Sequence, residues 1–219
     1  MKLRRTIALV LFLALLPGRP AAAEEGWTFQ AAVGAVTNLE TSLEIRQDGF
    51  PDIELDAEYE TRPFEGPLYY SLRTGRWRGR GGWEVELIHQ KLFLQDAPPE
   101  VQRFAISHGY NLVTLNRAWD LRGLILRIGA GPVIAHPESE VRGRVLDPQD
   151  TNLSGGYHLA GPVLQAGAER RFDLGDKWFL GLEGKASASR AEVPVAGGEA
   201  EVPNVAFHAL IGLGFRFSR

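Results

Sequence analysis

Five histidines, a Ser-His dipeptide and an alternating pair of glutamates are the residues of this 219-residue chain best suited to chemistry. Imidazole is the commonest metal ligand and a frequent acid–base group. The histidines are His89, His108, His136, His158 and His208. On the strand order set out below, all five fall in the outward halves of their strands. They are therefore candidate ligands for a divalent metal at an outer rim. Parity divides them, because His208 points inward while His89 shares a face with Trp83 and Val85. A histidine at a membrane–water boundary is also simply a comfortable interfacial residue. Ser107 beside His108 invites a hydrolase reading, with His89, His108 and Ser107 as catalytic candidates. Neighbours on a strand point to opposite faces, so Ser107 and His108 are not expected to pair. An acid such as Glu138 or Asp96 would have to come from another strand. Glu84 and Glu86 could serve acid–base chemistry, but on an inward face they are expected to meet arginines.

The elements that would position these groups are strands. Residues 204–217 alternate strictly: Val205, Phe207, Ala209, Ile211, Leu213, Phe215 and Phe217 on one face, and small or polar residues on the other. This is the period-two signal of a β-strand. Residues 177–189 repeat it, as do stretches beginning at Trp83 and Leu124. Strands are predicted near 27–36, 69–77, 83–94, 104–119, 124–135, 156–172, 177–190 and 204–217. Short Gly-, Asp- and Arg-rich links are expected at 78–82, 120–123 and 173–176. Long polar links are expected at 95–102, 139–154 and 194–203, and the segment 37–67 is read as extending its flanking strands around a hinge at 48–51. Short turns on one side and long loops on the other are the habit of outer-membrane barrels. The aromatic residues Trp27, Trp77, Trp83, Trp119, Trp178 and Phe217 stand at strand ends, as an interfacial girdle would place them. The fold expected is all-β, an eight-stranded antiparallel up-and-down transmembrane β-barrel, with a soluble lipocalin-type barrel as the alternative. Eight strands leave an interior that side chains fill. Arg73, Glu84, Glu86, Arg127, Glu183, Lys185 and Arg216 are predicted to form ion pairs there, since a lone charge in low dielectric is costly.

Composition agrees with export. Lys2, Arg4 and Arg5 precede an apolar run at 7–16, then Pro17, Gly18 and Ala21-Ala22-Ala23, the order of a secretory signal peptide. Residues 1–23 are therefore expected to be removed and 24–219 to form the barrel domain. The run is 10 residues long, against the ~20 that a membrane-crossing helix needs. There is no cysteine for lipid attachment or disulfides. Four of the 24 basic residues lie in 1–23, which leaves 20 against 27 acidic ones, a net charge of −7. That argues against a nucleic-acid partner.

Five stretches carry a resemblance: RPFEGPLYYSLR (62–73), ELIHQKLFL (86–94), HGYNLVTLNRAW (108–119), RIGAGPVIAH (127–136) and GYHLAGP (156–162). They are similar to conserved blocks of small proteobacterial outer-membrane β-barrel proteins, some of which are lipid A oxidases. A monomer in the cell outer membrane is expected, in keeping with the strand pattern. The resemblance implies action on lipopolysaccharide, in which the proximal glucosamine of lipid A is oxidised to an aminogluconate with oxygen and a divalent metal. No catalytic residue is carried over from it. Two other functions compete. A lipid A deacylase would be expected to show His-x-Ser on a strand, and none of the five histidines begins one. A structural or surface-binding barrel would use Lys91, Arg103, Arg142 and Arg144 to meet lipid A phosphates.

Overall fold

The computed structural model describes residues 24–217. The predicted signal segment 1–23 lies outside the described residues. In chain order the strands are β1 (Glu24–Asn38), β2 (Thr41–Gln47), β3 (Ile53–Ala57), β4 (Tyr59–Glu60), β5 (Tyr70–Gly79) and β6 (Gly81–Leu94). They continue with β7 (Val101–Leu121), β8 (Leu124–Val141), β9 (Arg144–Val145), β10 (His158–Asp173), β11 (Trp178–Val195) and β12 (Gly198–Arg216). Eight of them form an antiparallel ring in the order β1-β5-β6-β7-β8-β10-β11-β12, closed by pairing of β12 with β1 from Thr28↔Arg216 to Asn38↔Ala206. No strand of this ring keeps a free edge within the membrane, the condition for a sheet to cross lipid.

The alternation of sequence becomes an inside and an outside. On β12, Leu210, His208 and Ala206 are buried while Ile211 and Leu213 are 48% exposed. The same holds around the ring, where Phe29, Val33, Leu72, Val85, Leu115, Ile128 and Leu164 are exposed. An apolar exterior around a polar interior is the inverse of a soluble barrel, and it makes this a membrane-spanning barrel of the outer membrane. Trp27, Trp83, Trp119, Trp178 and Phe217 are exposed at one end, beside the short turns. Trp77 departs from the expected girdle: it is 1% exposed, inside the barrel, with the Arg171 guanidinium 5.3 Å from its ring.

The lumen has two storeys. Near the short turns it holds Arg73, Arg127, Arg171 and Lys185 against Glu84, Glu86, Glu169 and Glu183, all buried. Higher up it is an apolar core of Leu43, Ile45, Ile88, Leu92, Phe104, Ile106, Tyr110, Val133, Val193 and Val202. This core rises above the lipid because the strands are longer than expected. The predicted long link at 194–203 is instead a tight hairpin, with β11 and β12 paired up to Val195↔Gly198. The link at 139–154 begins with three more residues of β8 and the short pairing of β8 with β9 at Val141↔Arg144, followed by two 3-10 turns. The segment 37–67 folds as the β2–β3 hairpin, whose tip is the expected hinge; β2 pairs with β12 above the point where β1 departs.

Candidate functional site

The outer wall changes character above one row of residues. Pairings Tyr70↔His89, His89↔Asn111 and Asn111↔Ile134 run across β5, β6, β7 and β8 at the top of the apolar belt. Immediately above it the ladder breaks. Ile106 pairs with Pro137 and Tyr110 with Ala135, so Ser107, His108 and Gly109 together oppose His136 alone. Across the other side they oppose Lys91, between Gln90↔Tyr110 and Leu92↔Ile106. Such a bulge bends its strand and re-aims side chains. Gly109 makes it possible: its φ is +133°, and a Cβ there would collide with the Asn111 amide.

The bulge overturns the expectation that Ser107 and His108 stay apart. Strict alternation fails across it, and Ser107 Oγ lies 2.9 Å from His108 Nδ1. Glu138 is the acid that joins them, with one oxygen 2.7 Å from His108 Nδ1 and also accepting from Ser107 Oγ. Its other oxygen accepts from the Arg103 guanidinium. His136 and Glu138 are two apart on β8 and therefore share its outer face. The His136 ring centre is 5.0 Å from that of His108 and 5.0 Å from that of Tyr157. Tyr157 also donates its hydroxyl to the His108 carbonyl at 3.3 Å. Burial raises the Glu138 carboxyl, but hydrogen bonds from Ser107 and His108 and the attraction of Arg103 outweigh it. The net effect holds Glu138 below the usual carboxylate range.

His108, His136 and Glu138 each offer a ligand atom within 4.8 Å of the others. Buried His136 Nδ1 has no hydrogen-bond partner and is free to be such an atom. Two histidines and a carboxylate on one face, with open positions opposite, are the donor set of non-haem iron and related divalent sites. The donors fit a divalent ion of that class. A serine-hydrolase relay needs the serine on one ring nitrogen and the acid on the other. Here Ser107 and Glu138 both approach Nδ1 of His108.

The other candidates lie elsewhere. His89 sits on the outer wall, its ring stacked 5.0 Å from that of Tyr70 and its Nδ1 2.8 Å from Asn111 Oδ1. His208 is inside the barrel, where Tyr69 Oη and Ser187 Oγ flank its two nitrogens at 2.8 Å each. His158 stands at the rim against Asn152, whose backbone N–H donates to its Nδ1 at 3.3 Å. The structure thus brings two of the five histidines together and separates the rest.

The lumen charges meet one another. Arg73 bonds Glu86 at 2.8 Å and Glu183 at 2.5 Å, Arg127 bonds Glu84 at 2.5 Å and Glu169 at 2.6 Å, and Lys185 bonds Glu86 at 2.5 Å. Sequence reasoning missed Glu169 and Arg171, which are 2.9 Å apart. The signal was available: Gln165, Glu169 and Arg171 share one parity of β10, opposite to Leu164 on the lipid face. Arg216 is placed differently from the expectation, at the short-turn end of the barrel, 2.9 Å from Asp173 and with its guanidinium over Phe179. The rim cations are also engaged: Lys91 is buried and donates to the Glu65 carbonyl at 2.7 Å, while Arg142 and Arg144 lie over the Phe50 ring.

No protein-family model and no curated protein matches the chain. Among solved structures it is similar to Ail, the attachment invasion locus protein of Yersinia pestis, at 12% identity and a TM-score of 0.42 over 89% of this chain and 100% of that one. It is similar to the outer membrane protein OprG from Pseudomonas aeruginosa at 10% identity and a TM-score of 0.47, over 92% and 100%. Neisserial surface protein A matches at 10% identity and a TM-score of 0.44, over 88% and 98%. Likenesses this distant bear on no activity. The fold rests on the chain's own closed antiparallel ring and its apolar exterior.

Proposed function

We propose that this barrel works on the lipopolysaccharide leaflet as a divalent-metal enzyme that oxidises a headgroup sugar of lipid A. One observation carries the reading: His108, His136 and Glu138 converge on the outer wall, directly above the apolar belt, where a lipid headgroup lies. A lumen site would meet only solutes, whereas this one meets the leaflet. A bound divalent ion would supply Lewis acidity and a path for electrons to dioxygen. The chain's own residues would hold it, with Ser107, His108 and Arg103 together keeping Glu138 below the usual carboxylate range and Tyr157 bracing both histidines. Oxidising a sugar hemiacetal to a lactone passes two electrons and two protons to dioxygen. Opening by water then gives the acid, a net gain of one oxygen.

A second reading is an acyl hydrolase, favoured by the 2.9 Å approach of Ser107 Oγ to His108. Both are tested by the mass of lipid A from cells with and without the gene. Gain of one oxygen supports oxidation, loss of an acyl chain supports hydrolysis, and an unchanged mass leaves a structural barrel. Purified barrel is expected to hold one divalent ion per chain and His136→Ala none. A wild-type protein without stoichiometric copper, iron or zinc would overturn the metal reading.

A further inference from the structure

Above the membrane the wall of the barrel is not closed. β1 leaves β12 beyond Asn38, and β2 takes over along Gly198 to Glu201. β3 pairs with β2 from Thr41↔Ala57 to Ile45↔Ile53, and among the described residues its other edge has no strand partner. The seam is bridged at its foot by Tyr59↔Leu94 and a 2.9 Å bond from Gln95 N–H to the Glu58 carbonyl, and at its top by Arg142, which donates to the Pro51 carbonyl at 2.7 Å. What remains is a groove of about 630 Å³ between β3 and the loop after β6.

A free β-edge demands a partner for its N–H and C=O groups, and water or another strand can supply it. The lining of the groove says which strand. Asp52, Glu54 and Asp56 on the β3 side accompany Asp96 and Glu100 on the other, and none of these five forms an ion pair among the described residues. The one cation in the lining, Arg142, already bonds Gln47 Oε1 at 3.1 Å and the Pro51 carbonyl at 2.7 Å. The carboxylates do not converge on a point, since the only grouping of metal-ligating side chains among the described residues is the one on β7 and β8. A single cation is therefore a poor fit. A second copy of this chain would set carboxylates opposite carboxylates, which is destabilising. An extended basic segment meets both demands: its backbone completes the ladder and its cations reach the acids.

We propose that the β3 edge receives an extended, lysine- or arginine-rich segment of another protein as an added strand that completes the wall above the membrane. The test uses the full barrel in detergent micelles and a fluorescent peptide of alternating lysine and valine. Its glutamate–valine counterpart and a version N-methylated at alternate residues serve as controls. The lysine peptide should bind and protect the amides of residues 53–57 from exchange. Binding should fall about tenfold or more with Glu54→Lys and Asp56→Lys together, since charge-assisted bonds carry it. It should also be lost on N-methylation. No binding at low salt would overturn the proposal. So would binding that N-methylation leaves intact, because that is surface attraction without a strand.

Discussion

The lumen and the outer wall both gather charged side chains, but they close their accounts differently. In the lumen four cations meet four carboxylates, all buried, and each carboxylate has a cation within 3 Å. On the wall, His108, His136 and Glu138 lean toward one another around a shared position, and His136 Nδ1 bonds to nothing. The lumen cluster balances its charges among its own members, although Arg73 Nε, Arg127 Nη1 and Glu183 Oε1 make no hydrogen bond among the described residues, so its work is to hold the barrel shut. A convergent one with an unused donor atom is finished only by something added. Burial alone therefore does not mark function; incompleteness at a surface facing the right phase does.

The sharpest way to break this contrast is to unbalance the lumen. Arg127→Met would remove the nearest cation of Glu84, leaving it Arg171 at 3.6 Å and Arg73 at 3.9 Å, and one of the two cations within 3 Å of Glu169, which keeps Arg171 at 2.9 Å. Removing one partner of a buried pair costs about 3–5 kcal/mol. The urea midpoint of the folded barrel should fall accordingly, with metal content per folded molecule unchanged. A loss below about 1 kcal/mol, the range of exposed pairs, would mean that the plug is as dispensable as surface charge.

A smaller change separates shape from strain at the wall. Gly156 has φ +78°, and a Cβ there would lie 2.7 Å from His136 Nε2; neighbouring Gly155 has φ +71° but an added Cβ finds only Tyr157 Cδ2, at 4.0 Å. Both alanine variants should lose about 1 kcal/mol of stability through the left-handed backbone. Only Gly156→Ala should displace His136 and weaken metal binding, by about 10–100-fold, as the loss of a supporting group does. Equal metal affinity in the two variants would detach His136 from the site.

The two regions were not equally legible. Lipid outside and packing inside impose a period of two on every strand, so eight strands could be read from alternation alone. Parity even held information left unused: Trp77 lies four residues from inward Arg73 and so had to point inward, whatever its place at the strand end. The hairpin at 194–203 was hidden by Pro194, Pro203 and two glycines, although Val193, Val195, Ala200 and Val202 keep one buried face. The site is a different case, because it depends on where alternation fails. Three residues set against one is a fact about the register of β7 on β8, and only Gly109, between His108 and Tyr110, hints at it in sequence.

The finest test of the wall concerns Arg103. Its partner Glu138 is raised by burial but lowered further by Ser107, His108 and Arg103, so its carboxylate is held below the usual range. A carboxylate with a depressed pKa is fully available above its ordinary value and is lost as pH falls through the lowered one. Metal competes with protons for the same oxygens. Arg103→Gln removes one of the lowering influences, so on acidification metal should leave the variant at a higher pH than the wild type. The shift should be small, because Arg103 is 59% exposed and such pairs contribute at most about 1 kcal/mol. Raised salt should move the wild-type curve the same way by screening that pair. Dialysis against graded pH with metal analysis reads both. If the two release curves coincide at low salt, Glu138 is not the group whose protonation frees the metal, and the convergent site would have to be rebuilt on its histidines alone.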